Sequence, residues 1–248
     1  MQHIDEQALK GKLILVTGAT RGIGRALAIK AASYGAELII TGRTVGALEE
    51  VDDEISSAGG SATIVELDQT DKEAMPRLAQ AIASRWGHLD GFVANAGQLG
   101  QMAPLAHTEA EIFERTIEVN LTSIWHQIAA FDGLLRAAPA GRAVLVTSGV
   151  ARGAPAYWGA YAISKAGLES MARIWAAETE QTNLRVNILD PGISATAMRA
   201  SAFPGEDKNS IPQPEDTASA FIPLLADSCT SHGKRWDASA LIAMMNEG

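Results

Sequence analysis

Short apolar runs recur along the 248-residue chain, and between them lie longer stretches in which apolar residues return every three or four positions. The runs at Leu13–Val16, Glu37–Thr41, Thr63–Leu67, Gly91–Ala94, Ala143–Thr147 and Val186–Leu189 read as strands covered on both faces. Helical spacing marks Gly22–Tyr34, Val45–Ser57, Lys72–Trp86, a long region from about Thr108 to Ala137, and Gly159 to about Gln181. Strand and helix thus alternate along the chain. This predicts an α/β fold with a parallel sheet, helices on both faces, and ligands bound at the carboxyl ends of the strands. No repeat, low-complexity tract or linker divides the chain. Phe203–Asp216, rich in Pro, Gly and charge, is expected to be a mobile loop, and Met198, Phe203 and the loop to Pro214 a lid over the site, within a substrate loop of about 191–214.

The first strand ends in Thr17-Gly18-Ala19-Thr20-Arg21-Gly22-Ile23-Gly24, directly before an alanine-rich helix. Glycines there let the backbone approach a diphosphate, whose charge is met by free amides and the positive end of the helix; a glycine-rich turn without a ligand is the alternative. The loop lacks the Gly-Lys-Ser/Thr ending of a P-loop, which disfavours nucleoside triphosphate hydrolysis. The second strand ends in Thr41-Gly42-Arg43-Thr44, where an NAD site usually offers a carboxylate to the ribose. Arg43 suits a 2′-phosphate, Thr44 can hydrogen-bond it, and Arg21 lies near the same end of the ligand. NADP is therefore expected over NAD, unless both arginines are simply solvated. Asp68-Gln69 after the third strand are candidates to meet the adenine. Asn95-Ala96-Gly97 after the fourth is expected to turn tightly beside the cofactor.

Tyr161 and Lys165 are four apart near the start of a predicted helix, which puts them on one face. A cation beside a phenol favours the phenolate, so Lys165 is expected to lower a pKa that is ordinarily about 10. Tyr161 would then exchange a proton with a substrate oxygen that Ser148 hydrogen-bonds. Taken singly, the Tyr/Lys spacing also suits an ordinary helix surface, Asn120 a cap or kink, and Ser148 a turn.

A net charge of −9, with 20% charged and 47% apolar residues, is that of an ordinary soluble chain and argues against nucleic acid or an anionic membrane as partner. Cys229 is the single cysteine, which excludes an intrachain disulfide and fits a reducing compartment. His88, His107, His126 and His232 show no metal-ligand spacing, so no catalytic metal is expected. The amino-terminal MQHIDEQALKGK has no basic segment followed by an apolar one, and no apolar run reaches about 18 residues. The expected location is cytoplasmic.

TGATRGIG, Asn95-Ala96-Gly97, Asn120, Ser148, Tyr161-x-x-x-Lys165 and Pro191-Gly192 occur in the order and spacing of the short-chain dehydrogenases/reductases, which the chain resembles over essentially its whole length. WGAYAISKAG and AMRASAFPGED resemble more closely the YciK-type branch of bacterial oxidoreductases. The resemblance implies a single-domain Rossmann fold, a doubly wound parallel sheet of about seven strands. It also implies hydride transfer between NADP(H), or alternatively NAD(H), and a small carbonyl or alcohol substrate.

By the same resemblance Tyr161 is the general acid or base, Lys165 lowers its pKa and binds the nicotinamide ribose, Ser148 polarises the carbonyl, and Asn120 keeps a water in a proton relay. Pro191, Gly192, Ile193 and Thr196 would position the nicotinamide. Tyr157 and Trp158 either line the substrate pocket or pack beneath a loop. Ala94 stands where many members have Asn, and Gly149 replaces a frequent serine. The tail DASALIAMMNEG lacks a terminal glycine pair, which leaves the packing of the last strand open. Apolar positions on the two longest helices, among them Ile124, Trp125, Ile128, Leu168, Met171 and Trp175, are expected to pair across a two-fold axis in a homodimer or homotetramer. A regulator that senses NADP(H) without turnover is the alternative from another class.

Overall fold

The computed structural model describes residues 5–246; the first four residues of the amino-terminal stretch and the last two of the tail lie outside them. Seven strands form one parallel sheet: β1 (Leu13–Thr17), β2 (Glu37–Gly42), β3 (Ser61–Glu66), β4 (Gly91–Ala94), β5 (Arg142–Val146), β6 (Arg185–Asp190) and β7 (Arg235–Asp237). Their spatial order is β3-β2-β1-β4-β5-β6-β7. The doubly wound architecture expected from the alternating pattern is the one observed. In β1, Ile14 and Val16 join the core on one face while Leu13 and Leu15 join the core on the other. A strand buried on both sides has no polar face to show, which is why these runs read as continuously apolar.

One face is covered by α1 (Gly22–Ser33) and α2 (Val45–Ser57), through residues such as Leu27, Leu48 and Ile55. The other is covered by α3 (Ala74–Trp86), α5 (Ser123–Ala137) and α7 (Gly159–Glu178), through Ile82, Phe131 and Leu168. Phe92 of β4 and Phe131 of α5 are fully buried, with ring centroids 5.4 Å apart and planes tilted by 53°.

The helix expected from about Thr108 to Ala137 is not continuous. It consists of α4 (Ala110–Ile117), a π-helical turn at Glu118–Thr122, and α5. Side chains from outside the helix grip the interruption. Gln69 Nε2 donates to the carbonyl of Val119 at 2.9 Å, and the Asn120 side chain is bonded on both its polar atoms. Such turns fall where a local demand outweighs regular helix bonding.

The last strand, β7, has only three residues, Arg235-Trp236-Asp237, and pairs with β6 through Leu189 and Trp236. Two of its three residues are charged, so no apolar run marks it. The tail whose packing was left open continues as a helix, α11 (Ala238–Asn246), with Leu241 in the core. A short helix, α6 (Val150–Gly153), precedes α7 between β5 and β6, and between β6 and β7 lie α8 (Ala197–Ala202), α9 (Pro214–Ala218) and α10 (Ile222–Leu225). The stretch Phe203–Asp216 contains a 3₁₀ turn at Lys208–Ser210 and the first turn of α9.

Phe131→Ala should lose about 3–5 kcal/mol of unfolding free energy, because the ring is fully buried against Phe92 and its removal leaves a cavity. Urea unfolding followed by circular dichroism measures it. A loss below about 1 kcal/mol would mean that the site collapses to fill the space.

Candidate active site

The strand order reverses between β1 and β4, whose following helices pass to opposite faces of the sheet. A cleft of about 530 Å³ opens at this point, as expected for such a reversal. Its wall is formed by Gly18, Thr20, Arg21, Gly22, Ile23 and Gly24 of the glycine loop, Arg43 at the end of β2, and Asp68 and Gln69 after β3. Asn95, Ala96 and Gly97 after β4, Tyr161 and Lys165 of α7, and Thr196 before α8 complete it. Thr44 is the residue before α2 and does not line the cleft, nor do Asn120, Ser148, Pro191, Gly192 and Ile193.

The glycine loop leaves no room for side chains. A Cβ on Gly18 would come 2.8 Å from Ala96 Cα, and one on Gly24 would come 2.3 Å from the Gly18 carbonyl oxygen. The Asn95 side chain locks the same contact, with Nδ2 donating to the carbonyls of Thr17 at 2.9 Å and Gly18 at 3.2 Å. Asn95 therefore ties β4 to β1 with its amide. At the amino end of α1 no side chain caps the backbone and no acid occupies the first turn. Free amides and the helix dipole there suit a diphosphate, and exposed Arg21 and Arg43 at the rim suit a further phosphate. These residues fit a dinucleotide.

Tyr161 and Lys165 sit in the first turns of α7, both buried. The chain enters this helix through Tyr157, whose φ of +74° lies in the left-handed region that costs a non-glycine residue strain. Its carbonyl accepts from the amide of Ala103 at 3.1 Å, which anchors the strained entry. The Lys165 ammonium donates to the carbonyl of Val146 at 2.8 Å and lies 5.9 Å from the Tyr161 ring centroid. Burial lowers the Lys165 pKa to about 8, and Asp190 opposes that shift.

The Tyr161 phenol is pushed up to about 12, first by burial and further by the negative charge of Asp190, against a side-chain hydrogen bond with Ser148 that favours the phenolate. The expected lowering by Lys165 is thus not found. Loss of water outweighs the neighbours, and Ser148 rather than Lys165 is the group that draws the value down.

Asn120 is fully buried in the π-helical turn. Its Oδ1 accepts from the amide of Gln98 at 2.8 Å, and its Nδ2 donates to the Gln98 carbonyl at 2.8 Å and to Ser164 Oγ at 3.1 Å. Both amide hydrogens are thus committed, which leaves one lone pair of Oδ1 for a water. Gln69 and Asp68 are similarly engaged. Gln69 braces Val119 and Gln127, and Asp68 accepts from Thr70 and Arg115 while its half-exposed carboxylate keeps acceptor capacity facing the cleft. Gln98, Ser164 and Arg115 had no motif to mark them.

The short-chain dehydrogenase family profile matches residues 12–207. The chain belongs to this family. The dehydrogenase is 38% identical over 225 residues to the oxidoreductase YciK of Escherichia coli K12, an alignment covering 90% of this chain and 89% of that protein. It superposes on the structure of the oxidoreductase yciK from E. coli with a TM-score of 0.92 at 37% identity, covering 96% of this chain and 99% of the other. A short-chain dehydrogenase from E. coli CFT073, solved in complex with NADPH, gives a TM-score of 0.91 at 37% identity over 94% of this chain and 99% of its own.

The two perturbed groups predict opposite limbs in the dehydrogenase's stability. Lys165 titrates near 8 when folded and at 10.5 ordinarily, so the unfolded chain binds more protons in that window and stability rises with pH. Tyr161 titrates at about 12 when folded and at 10.0 ordinarily, so stability falls between those values. Lys165→Met should be more stable than the wild type at neutral pH and lack the rise above pH 8. Urea unfolding at a series of pH values checks this, and parallel curves for the two proteins would contradict it.

Proposed function

We propose that this dehydrogenase is an NADP(H)-dependent oxidoreductase that interconverts a carbonyl and an alcohol. The observation that carries the reading is one cleft that joins a side-chain-free glycine cradle and two exposed guanidiniums to a buried tyrosine and lysine. The NADPH bound by the E. coli CFT073 neighbour supports the choice of cofactor. When bound, the nicotinamide supplies the hydride chemistry. The glycine loop and the amino end of α1 take the diphosphate, Arg43 and Arg21 take the 2′-phosphate, and Thr196 borders the nicotinamide end.

Tyr161, still protonated across physiological pH, gives its proton to the substrate oxygen as that oxygen becomes an alkoxide, which is far more basic than a phenolate. Ser148 donates its single hydroxyl hydrogen to the same oxygen. Lys165 offsets the negative charge that develops at Tyr161, and Asn120 anchors the chain at Gln98, beside Gly97. The substrate is a small molecule that reaches Tyr161 past Trp158 and Phe203. Their rings lie 6.1 Å from Tyr161 and 6.0 Å from Trp158 respectively, so Phe203 and the segment from 198 to 214 form a lid.

The whole chain acts as one catalytic domain. Of the apolar positions expected to need cover from a second chain, Ile124, Leu168 and Trp175 are buried in the core of this one, and it is the exposed Trp125, Ile163 and Ile174 of α5 and α7 that form the face of a homo-oligomer.

Fluorescence titration should show tighter binding of NADPH than NADH, and Arg43→Asp should weaken NADPH binding more than NADH binding. NADPH oxidation against a panel of small aldehydes, ketones and diketones should fall about 10²–10⁴-fold in Tyr161→Phe with NADPH binding kept. Binding without turnover across the panel would favour an NADP(H) sensor. Light scattering should give a mass of at least two chains, reduced by Ile174→Glu; a single-chain mass at micromolar concentration would refute the oligomer.

A further inference from the structure

A buried ionic network in the last strand plays no part in the mechanism above. Arg235 of β7 is nearly buried and spends all three guanidinium nitrogens: Nη2 donates to Asp190 Oδ2 at 2.5 Å, Nε to Glu169 Oε1 at 3.0 Å, and Nη1 to Asp237 Oδ1 at 2.6 Å. Its partners lead to the site by two routes. Asp190 ends β6, and its Oδ1 accepts from the amide of Gly192 at 2.9 Å, so it shapes the Pro191-Gly192 turn. Glu169 sits one helical turn beyond Lys165 on α7 and accepts from Thr147 Oγ1 at 3.0 Å, next in sequence to Ser148.

We infer that Arg235 is a positioning residue of the active site: through Asp190 and Glu169 it sets the net charge facing Lys165 and keys the Pro191-Gly192 turn to the helix that carries Tyr161. Asp190 faces Tyr161 and Lys165 from β6, and Arg235 meets it from β7. Gly149, beside α6, lies against the same carboxylate and adds no charge to it: a Cβ built there would stand 3.4 Å from Asp190 Oδ2. Glu169 is balanced separately by Arg173 at 2.6 Å, with Arg152 at 4.0 Å. Arg235 is thus the cation that meets Asp190 directly, and a carboxylate this deep needs such a partner.

The charges make opposite demands that a mere brace would not. Without Arg235, the exposed charge of Asp190 makes Lys165 keep its proton to higher pH. Without Asp190, the leftover guanidinium makes Lys165 lose it at lower pH.

The inference rests on the functional reading and on Lys165 binding the nicotinamide ribose, the role the family resemblance implies, and that dependence sets the test. NADPH affinity of the intact protein is measured by fluorescence between about pH 6 and 10, alongside its melting temperature. The wild type should show a midpoint that Lys165→Met abolishes. That midpoint should rise in Arg235→Gln, fall in Asp190→Asn, and return in the double variant, with single shifts of about half a pH unit or more. Arg235→Lys should keep the wild-type midpoint. Midpoints unmoved, or moved the same way in both single variants, would overturn the role of Arg235. If Arg235→Gln does not fold, Asp190→Asn decides: a lower midpoint supports the role and an unmoved one overturns it. Failure of the wild type to bind NADPH at any pH would instead overturn the functional reading itself.

Discussion

Keeping an ammonium where water barely reaches it is the constraint on which the centre of this dehydrogenase depends. Lys165 is 4% exposed, and burial alone brings its proton close to leaving at physiological pH. One strand carbonyl, that of Val146, and the carboxylate of Asp190 keep it charged. Both come from the carboxyl ends of strands, β5 and β6, so the lysine can be charged only where the sheet delivers them. The helix, the strand ends and the charge form one arrangement, and a buried charge of this kind trades stability for reactivity.

The sheet supplies that arrangement because each strand is gripped from both sides. β1 divides its side chains between two cores, so its carboxyl end has little freedom to drift relative to β4. Asn95 then draws the turn after β4 onto the glycine loop through two carbonyls of the neighbouring strand end. The result is a rigid floor beneath the cleft. Over it lies a roof made of short turns, in which Arg199 is paired twice with Glu206 at 2.6 Å and stacks on Phe203.

What the sequence disclosed was local. The glycine loop, Tyr161 with Lys165, and the apolar strands each declare themselves within eight residues or fewer, because backbone approach, one helical turn and double-sided burial leave short-range patterns. What it concealed depends on partners far apart in the chain. Asn120 meets Gln98 and Ser164, and Arg235 meets Asp190 and Glu169, across separations of 22 to 66 positions. No spacing rule announces such pairs. The pKa of Tyr161 was misjudged for a related reason: the lysine four residues away is visible in sequence, whereas the loss of water around the ring is a property of the packed whole.

The π-helical turn at Glu118–Thr122 is an angular key between α4 and α5. Each residue of an α-helix turns the chain by about 100°, so one residue more or less at this point rotates everything on one side relative to the other. With the present count, Arg115 on α4 reaches Asp68 while Phe131 on α5 meets Phe92. Deleting one residue within the turn would satisfy ordinary helix bonding and yet swing one of those contacts out of phase. Asn120 apart, what this stretch must keep is its length rather than its side chains.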